Sequence, residues 1–242
     1  MRAICIDIGN TAVKFGCFVE NALVEVITTR KLRDATVLRR ILKFKATHGI
    51  YSNVGESNNF FVQSLKDEMD LMLLTDRTKL PIRVSYKSNT LGTDRIALAA
   101  AAHAAFKNRN ILIIAAGTCI TYNFVSYQGV FGGGAISPGL HMRLNAMHSF
   151  TARLPQIRKI DDAALVGDST KASMLSGVVN GAAYEMDGFI DACKREYKSF
   201  DAVLTGGDAR YFEPRLKSKI FAQPHAALYG LHAILQHNTG AI

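Results

Sequence analysis

Ile6-Asp7-Ile8-Gly9-Asn10 and Ile114-Ala115-Ala116-Gly117-Thr118 share one pattern: an apolar strand end, a glycine turn and a polar residue, each followed by a further strand. The first copy closes the apolar run 3–8, after which Val13, Phe15 and Cys17 alternate with less apolar neighbours, as a strand does. Residues 22–28 form a third strand candidate, and 35–46 and 60–74 carry apolar residues at helical spacing, with 52–59 as the Ser/Asn/Gly loop between them. An alanine-rich helix is expected over 94–106 with Thr93 as its cap. The second copy runs from the strand 111–116 into β-forming residues 118–125. A glycine-rich bend at 130–138 follows, then helices at 139–149 and 169–197, a short strand at 202–204, another helix and a last one at 225–236. Strands followed by helices in each half describe an α/β protein built twice, with two lobes around a cleft. The expected division is 1–108 and 109–242, the last helix packing back on the first lobe.

With 48% apolar and 20% charged residues among 242, the chain can bury a substantial core, which argues against disorder. The net charge of +9 favours acidic ligands and says nothing about fold. Cys5, Cys17, Cys119 and Cys193 lack the paired spacing of zinc or redox sites and read as reduced core thiols. Asp7 interrupts the first apolar run, so a secretory segment is not expected, and no stretch approaches the ~18 apolar residues of a membrane span. A soluble cytoplasmic protein is expected.

The segment from Asp7 to Lys14 places a carboxylate, a permissive turn, amide and hydroxyl donors and a cation at one strand end. That mixture suits a phosphate chain: glycine admits close approach, Asn10 and Thr11 donate, Lys14 neutralises and Asp7 can hold a hydrated divalent ion. The same residues also suit an ordinary hairpin turn. Thr205-Gly206-Gly207-Asp208 is a second candidate for nucleotide approach, or a plain strand-to-helix connection. By themselves Asp94 reads as an acid complementing a helix dipole and Arg95 as a solvated helix residue. The basic stretch Arg30, Lys31, Arg33, Arg39, Arg40, Lys43 and Lys45 lacks interleaved aromatics, so a solvated face is expected and no nucleic-acid partner. His103 reads as a packed or surface residue.

In order along the chain, Asp7-Ile8-Gly9-Asn10-Thr11-Ala12-Val13-Lys14, Gly92-Thr93-Asp94-Arg95, the segments 115–121, 133–139 and 151–155, Thr170 ahead of Gly177, and Thr205-Gly206-Gly207 resemble type III pantothenate kinase. The likeness extends from residue 4 to about residue 231. It implies the duplicated ribonuclease-H-like fold of the actin and sugar kinase superfamily, a homodimer, and transfer of the ATP γ-phosphoryl group to pantothenate at the start of coenzyme A biosynthesis. By the same resemblance Asp7, Ile8, Gly9, Asn10, Thr11, Ala12, Val13, Lys14, Thr118, Gly206 and Gly207 attend ATP, which brings Mg²⁺ with it. Tyr86, Gly92, Thr93, Asp94, Arg95 and Thr170 attend pantothenate, and Asp94 becomes the base. No protein metal site and no membrane partner are implied. Two positions depart from the family. Ala115 stands where a cation-binding Asp is usual, and Asn123 where another Asp is common, which puts a monovalent cation (K⁺ or NH₄⁺) in doubt. That loss leaves room for a non-catalytic nucleotide-binding regulator, and the pocket residues leave room for a kinase of another small hydroxyl acceptor.

Overall fold

The computed structural model describes residues 1–30, 34–54, 59–88 and 90–240. The chain divides into two compact units, one of Met1–Lys107, Tyr127–Gly132 and His225–Ile242, the other of Asn108–Ser126 and Gly133–Pro224.

The elements in chain order begin with the hairpin strands β1 (Arg2–Ile8) and β2 (Val13–Val19), then β3 (Ala22–Thr29), α1 (Ala35–Lys43), β4 (His48–Asn53), α2 (Asn59–Lys66), β5 (Asp70–Leu73), β6 (Arg83–Val84) and α3 (Thr93–Ala105). Then come β7 (Asn110–Ala116), β8 (Cys119–Val125), β9 (Val130–Pro138), α4 (Leu140–Ser149), α5 (Thr170–Glu196), β10 (Phe200–Thr205), α6 (Ala209–Phe212), β11 (Phe221–Ala222) and α7 (Ala226–Thr239). The first sheet has the order β3-β2-β1-β4-β5, with β1 antiparallel to β2 and parallel to β4. The second has six strands and repeats that order as β9-β8-β7-β10-β11, with β7 antiparallel to β8 and parallel to β10 and with β6 added parallel to the start of β9. The two central strands, β1 and β7, are the ones that carry the repeated motif.

Alternation along β1 and β2 divides the first unit into two cores. Ile4, Ile6, Ile8, Val13, Phe15 and Cys17 pack with Ile41 of α1 and with Phe61 and Leu65 of α2. On the other face Ala3, Cys5, Phe18 and Ile50 pack with Ile96, Ala97 and Ala100 of α3 and with Leu228 and Leu231 of α7. The alanine run of α3 has a reason beyond helix propensity, because a Cβ at Gly230 of α7 would strike the Ala97 carbonyl and only small side chains let the two helices approach.

Four expectations are corrected. The helical pattern at 60–74 ends at Lys66, and Asp70–Leu73 pairs with β4 as a parallel strand, with Leu71 and Leu73 two apart, the period of a strand. The glycine-rich stretch 130–138 is a strand whose Gly134, at φ +149, lies against the Tyr122 carbonyl where no side chain fits. The cap of α3 is Gly92, and Thr93 is already helical. Cys119 and Cys193 are half-buried, whereas Cys5 and Cys17 are core thiols. In the basic stretch Arg40 pairs with Glu25, and Lys31 and Arg33 lie outside the described residues, as does the 55–58 part of the expected loop.

His232 of α7 is 4% exposed and lies flat on Phe18, ring centroids 4.1 Å apart, with Nε2 buried and without a hydrogen-bond partner. Burial holds its pKa below the ordinary value against a hydrogen bond with the Glu20 backbone. A histidine so depressed is fully compatible with the fold above its unfolded pKa of ~6.5 and destabilises it as pH falls below that value. His232→Phe is therefore expected to lose less Tm than the parent between about pH 7.5 and about pH 5, by about 2–4 °C if roughly 1 kcal/mol is involved. Equal losses in thermal unfolding of the two proteins would show that the acid sensitivity lies elsewhere.

Candidate active site

Ala3 and Cys5 put the odd positions of β1 on the face covered by α3 and α7, so Asp7 projects there as well. Phe18 does the same for Gly16 and Lys14 on β2, and Ile50 for Ser52 on β4. Register then sets Asp7 opposite Lys14 on one side and Ser52 on the other. The Ser52 hydroxyl donates to Asp7 Oδ1 at 3.0 Å. The result is a polar row of three side chains across adjacent strands at the carboxyl end of β1.

Burial pushes the Asp7 carboxyl above its ordinary pKa. The Ser52 hydrogen bond and the Lys14 ammonium pull it down, while the nearby charge of Asp94 pushes it up again. Burial prevails, so the net shift is upward. The turn beyond it is closed by a hydrogen bond from Gly9 N–H to the Ala12 carbonyl at 3.1 Å and leaves Asn10 and Thr11 exposed at its tip. Ile8 and Val13 point into the α1–α2 core, so of these two only the backbone is available to a ligand.

At the start of α3 the Asp94 carboxylate reaches back over Gly92, where any side chain would meet Asp94 Oδ1. The Thr93 hydroxyl is buried without a hydrogen-bond partner. Arg95 is 5% exposed, which removes the solvated reading, and its guanidinium lies 5.7 Å from the ring centroids of both Tyr86 and Phe131. Both distances fall within the range of a cation–π contact. The first unit thus brings Asp7, Lys14 and Asp94 together electrostatically and joins Tyr86 to Arg95. Ser52 and Phe131 belong to these groups and are absent from the sequence expectations.

In the second unit three turns are tied by backbone hydrogen bonds. Gly117 N–H donates to Cys119 at 3.0 Å, Gly139 N–H to Thr118 at 3.1 Å and Asp208 N–H to Ala116 at 3.0 Å. Gly206, at φ +101, presses on the Ala116 backbone, where a side chain would collide, while Thr118 and Gly207 are exposed. Thr170, exposed at the start of α5, lines a shallow depression with Leu154, Gly167 and Ser173.

The positions expected for a monovalent cation do not suit one. Ala115 offers a methyl group, and the fully buried Asn123 turns its Nδ2 towards the Ile113 carbonyl at 3.3 Å and Thr121 Oγ1 at 3.0 Å. The amide donors therefore occupy oxygen atoms that a cation would need.

Residues 3–192 match the family model for type III pantothenate kinase. The type III pantothenate kinase of Cytophaga hutchinsonii is 39% identical over 236 residues, covering 97% of this chain and 99% of that protein. Two solved structures share the fold. The activator of the 2-hydroxyisocaproyl-CoA dehydratase from Clostridium difficile, with bound ADPNP, aligns with a TM-score of 0.57 at 12% identity over 100% of this chain and 98% of that one. A glucokinase from an Antarctic psychrotroph aligns with a TM-score of 0.53 at 14% identity over 98% of this chain and 99% of that one. With a matched family model over most of its length and this level of identity to a full-length relative, the chain belongs to the type III pantothenate kinase family.

Proposed function

We infer that this chain transfers the γ-phosphoryl group of ATP to the hydroxyl of pantothenate, giving 4′-phosphopantothenate, the first step towards coenzyme A. The observation that carries the reading is the polar row of Lys14, Asp7 and Ser52 at the end of β1, on the same face of the sheet that α3, with Asp94 in its first turn, covers. Phosphoryl transfer asks a protein chiefly to position the reactants and to stabilise charge. Lys14 supplies a positive charge for the phosphates, and Asp7 an oxygen for the hydration shell of the Mg²⁺ that arrives with ATP. The Asp94 carboxylate takes the proton of the pantothenate hydroxyl as that oxygen bonds to the γ-phosphorus, the bond to the β-phosphate oxygen breaks and ADP leaves.

Arg95, fixed between two aromatic rings, is the partner for the pantothenate carboxylate, and the unpartnered Thr93 hydroxyl is available to another polar atom of the same substrate. Tyr86, Gly92 and Thr170 are assigned to pantothenate with them. Gly9, Asn10, Thr11 and the backbone of Ile8, Ala12 and Val13 are assigned to ATP, together with Thr118, Gly206 and Gly207. No helix among the described residues is long and apolar enough to cross a membrane, and we place the enzyme in the cytoplasm, where its substrates are. We also propose a homodimer, supported by the exposed apolar side chains Phe150, Leu165 and Val166, which are 86%, 71% and 82% accessible.

Asp94→Asn is expected to keep nucleotide binding while lowering turnover in a coupled ADP-release assay by about two to four orders of magnitude, the usual worth of a general base. Near-parental turnover would remove Asp94 from the mechanism, and absence of pantothenate-dependent turnover in the parent would favour a regulator or another acceptor. Light scattering on the same preparation is expected to give twice the 26.5 kDa chain mass, and a monomer would contradict the dimer. Activity is further expected to depend little on potassium or ammonium, with a bulky organic cation holding ionic strength constant, and Ala115→Asp to introduce a dependence. Saturable activation of the parent by potassium would show that other oxygen atoms complete a cation site.

A further inference from the structure

Helix α7 runs along β2 rung by rung. At the far rung the His232 ring stacks on Phe18 at 4.1 Å. At the next a Cβ on Gly16 would lie 3.0 Å from a Leu228 methyl group, so the helix and strand meet there almost directly. Residues three and four apart share one side of a helix, and residues two apart share one face of a strand. The following rung brings the start of α7, which His225 precedes, towards Lys14. The pairing is also visible electrostatically, since the Lys14 charge, after burial, disfavours protonation of this imidazole.

His225 Nδ1 is buried without a hydrogen-bond partner. A buried N–H without an acceptor is a rarer and worse arrangement than an unfilled lone pair, so the neutral ring carries its proton on Nε2. The side chain then presents a neutral N–H donor beside the ammonium of Lys14. An anion with several oxygen atoms can use both, taking charge from the lysine and a directed hydrogen bond from the imidazole. Among the described residues none hydrogen-bonds His225 Nδ1: the backbone carbonyl of His225 accepts from Tyr229 N–H at 3.2 Å, and the ring makes no capping bond to α7.

We propose that His225 is a further nucleotide-binding residue, its Nε2–H donating to the same phosphate chain that Lys14 neutralises. The proposal rests on the reading that the Asp7–Lys14 segment holds the phosphates of ATP. It adds a residue from the start of the last helix to those of the first hairpin that attend the phosphates.

The test is calorimetric titration of the magnesium complex of a non-hydrolysable ATP analogue into the parent, His225→Ala, His225→Phe, His225→Gln and Lys14→Ala, each also melted thermally. Loss of one hydrogen bond to a charged group is expected to weaken binding about tenfold or more in the Ala and Phe variants. Pantothenate affinity should stay within about twofold, and Gln, whose amide N–H can replace Nε2–H, should recover part of the loss. Affinities within about twofold of the parent for Ala and Phe, with Lys14→Ala weakened, would overturn the proposal and leave the phosphate reading standing. An unweakened Lys14→Ala would overturn both. A loss that Gln does not recover, accompanied by lower Tm in Ala and Phe alike, would assign His225 to packing and also overturn the proposal.

Discussion

A half-buried carboxylate at the end of the central strand is the constraint around which the first unit is arranged. Asp7 lies half-buried on the face that α3 and α7 cover, and a hydroxyl from β4 and an ammonium from β2 only partly offset the effect of that burial. A hydrogen bond to a charged group contributes ~1.5–3 kcal/mol, yet the net effect on Asp7 is still towards the protonated form. A divalent cation arriving with the phosphates would favour the ionised form of this carboxyl. Asp94, which adds to the repulsion on Asp7, is placed by the same packing, because the alanine face of α3 that meets Gly230 also brings its first turn to the strand end.

The duplication makes the specialisation of the two halves readable. The row Lys14–Asp7–Ser52 of the first sheet corresponds by register to Thr121–Ala115–Thr205 of the second. One row carries opposite charges, and the other is uncharged. In the second unit the backbone does the corresponding work: Gly206 takes a left-handed conformation against Ala116, and the turns at Gly117, Gly139 and Asp208 hold one another by N–H donation. Losing a carboxylate at position 115 leaves that unit without the anionic oxygen that would attract a bare cation, and Asn123 fills the remaining space with amide donors.

Much of this was legible in the sequence. The repeated apolar-strand and glycine-turn motif located β1 and β7 and the duplication, and the order of motifs gave the family. The alanine run gave α3 and, with it, Asp94 and Arg95. The strand β4 was not legible, because His48, Gly49, Ser52 and Asn53 surround only two apolar residues and the segment is a strand only through its pairing with β1. Ser52 was missed for the same reason, since its role is a matter of register. Phe131 was hidden inside a stretch whose glycines suggested a bend. The contact of His225 with the site could not be read from spacing at all, because it depends on α7 returning to β2 from more than 200 residues away in sequence.

Asp7 is kept for its ligand at a cost to the stability of the fold. Asp7→Asn, which preserves the shape and can still pair with Ser52, tests this in one paired measurement of Tm and ATP-analogue affinity near neutral pH. A carboxyl whose folded pKa is raised destabilises the protein above its unfolded pKa of ~3.9, and neutralising it removes that penalty. The expected result is a Tm at or above the parent's together with nucleotide affinity lowered about tenfold or more. A Tm lower by several degrees with affinity unchanged would contradict the account, since Asp7 would then be a structural residue stabilising the hairpin and not a charge held for magnesium and phosphate.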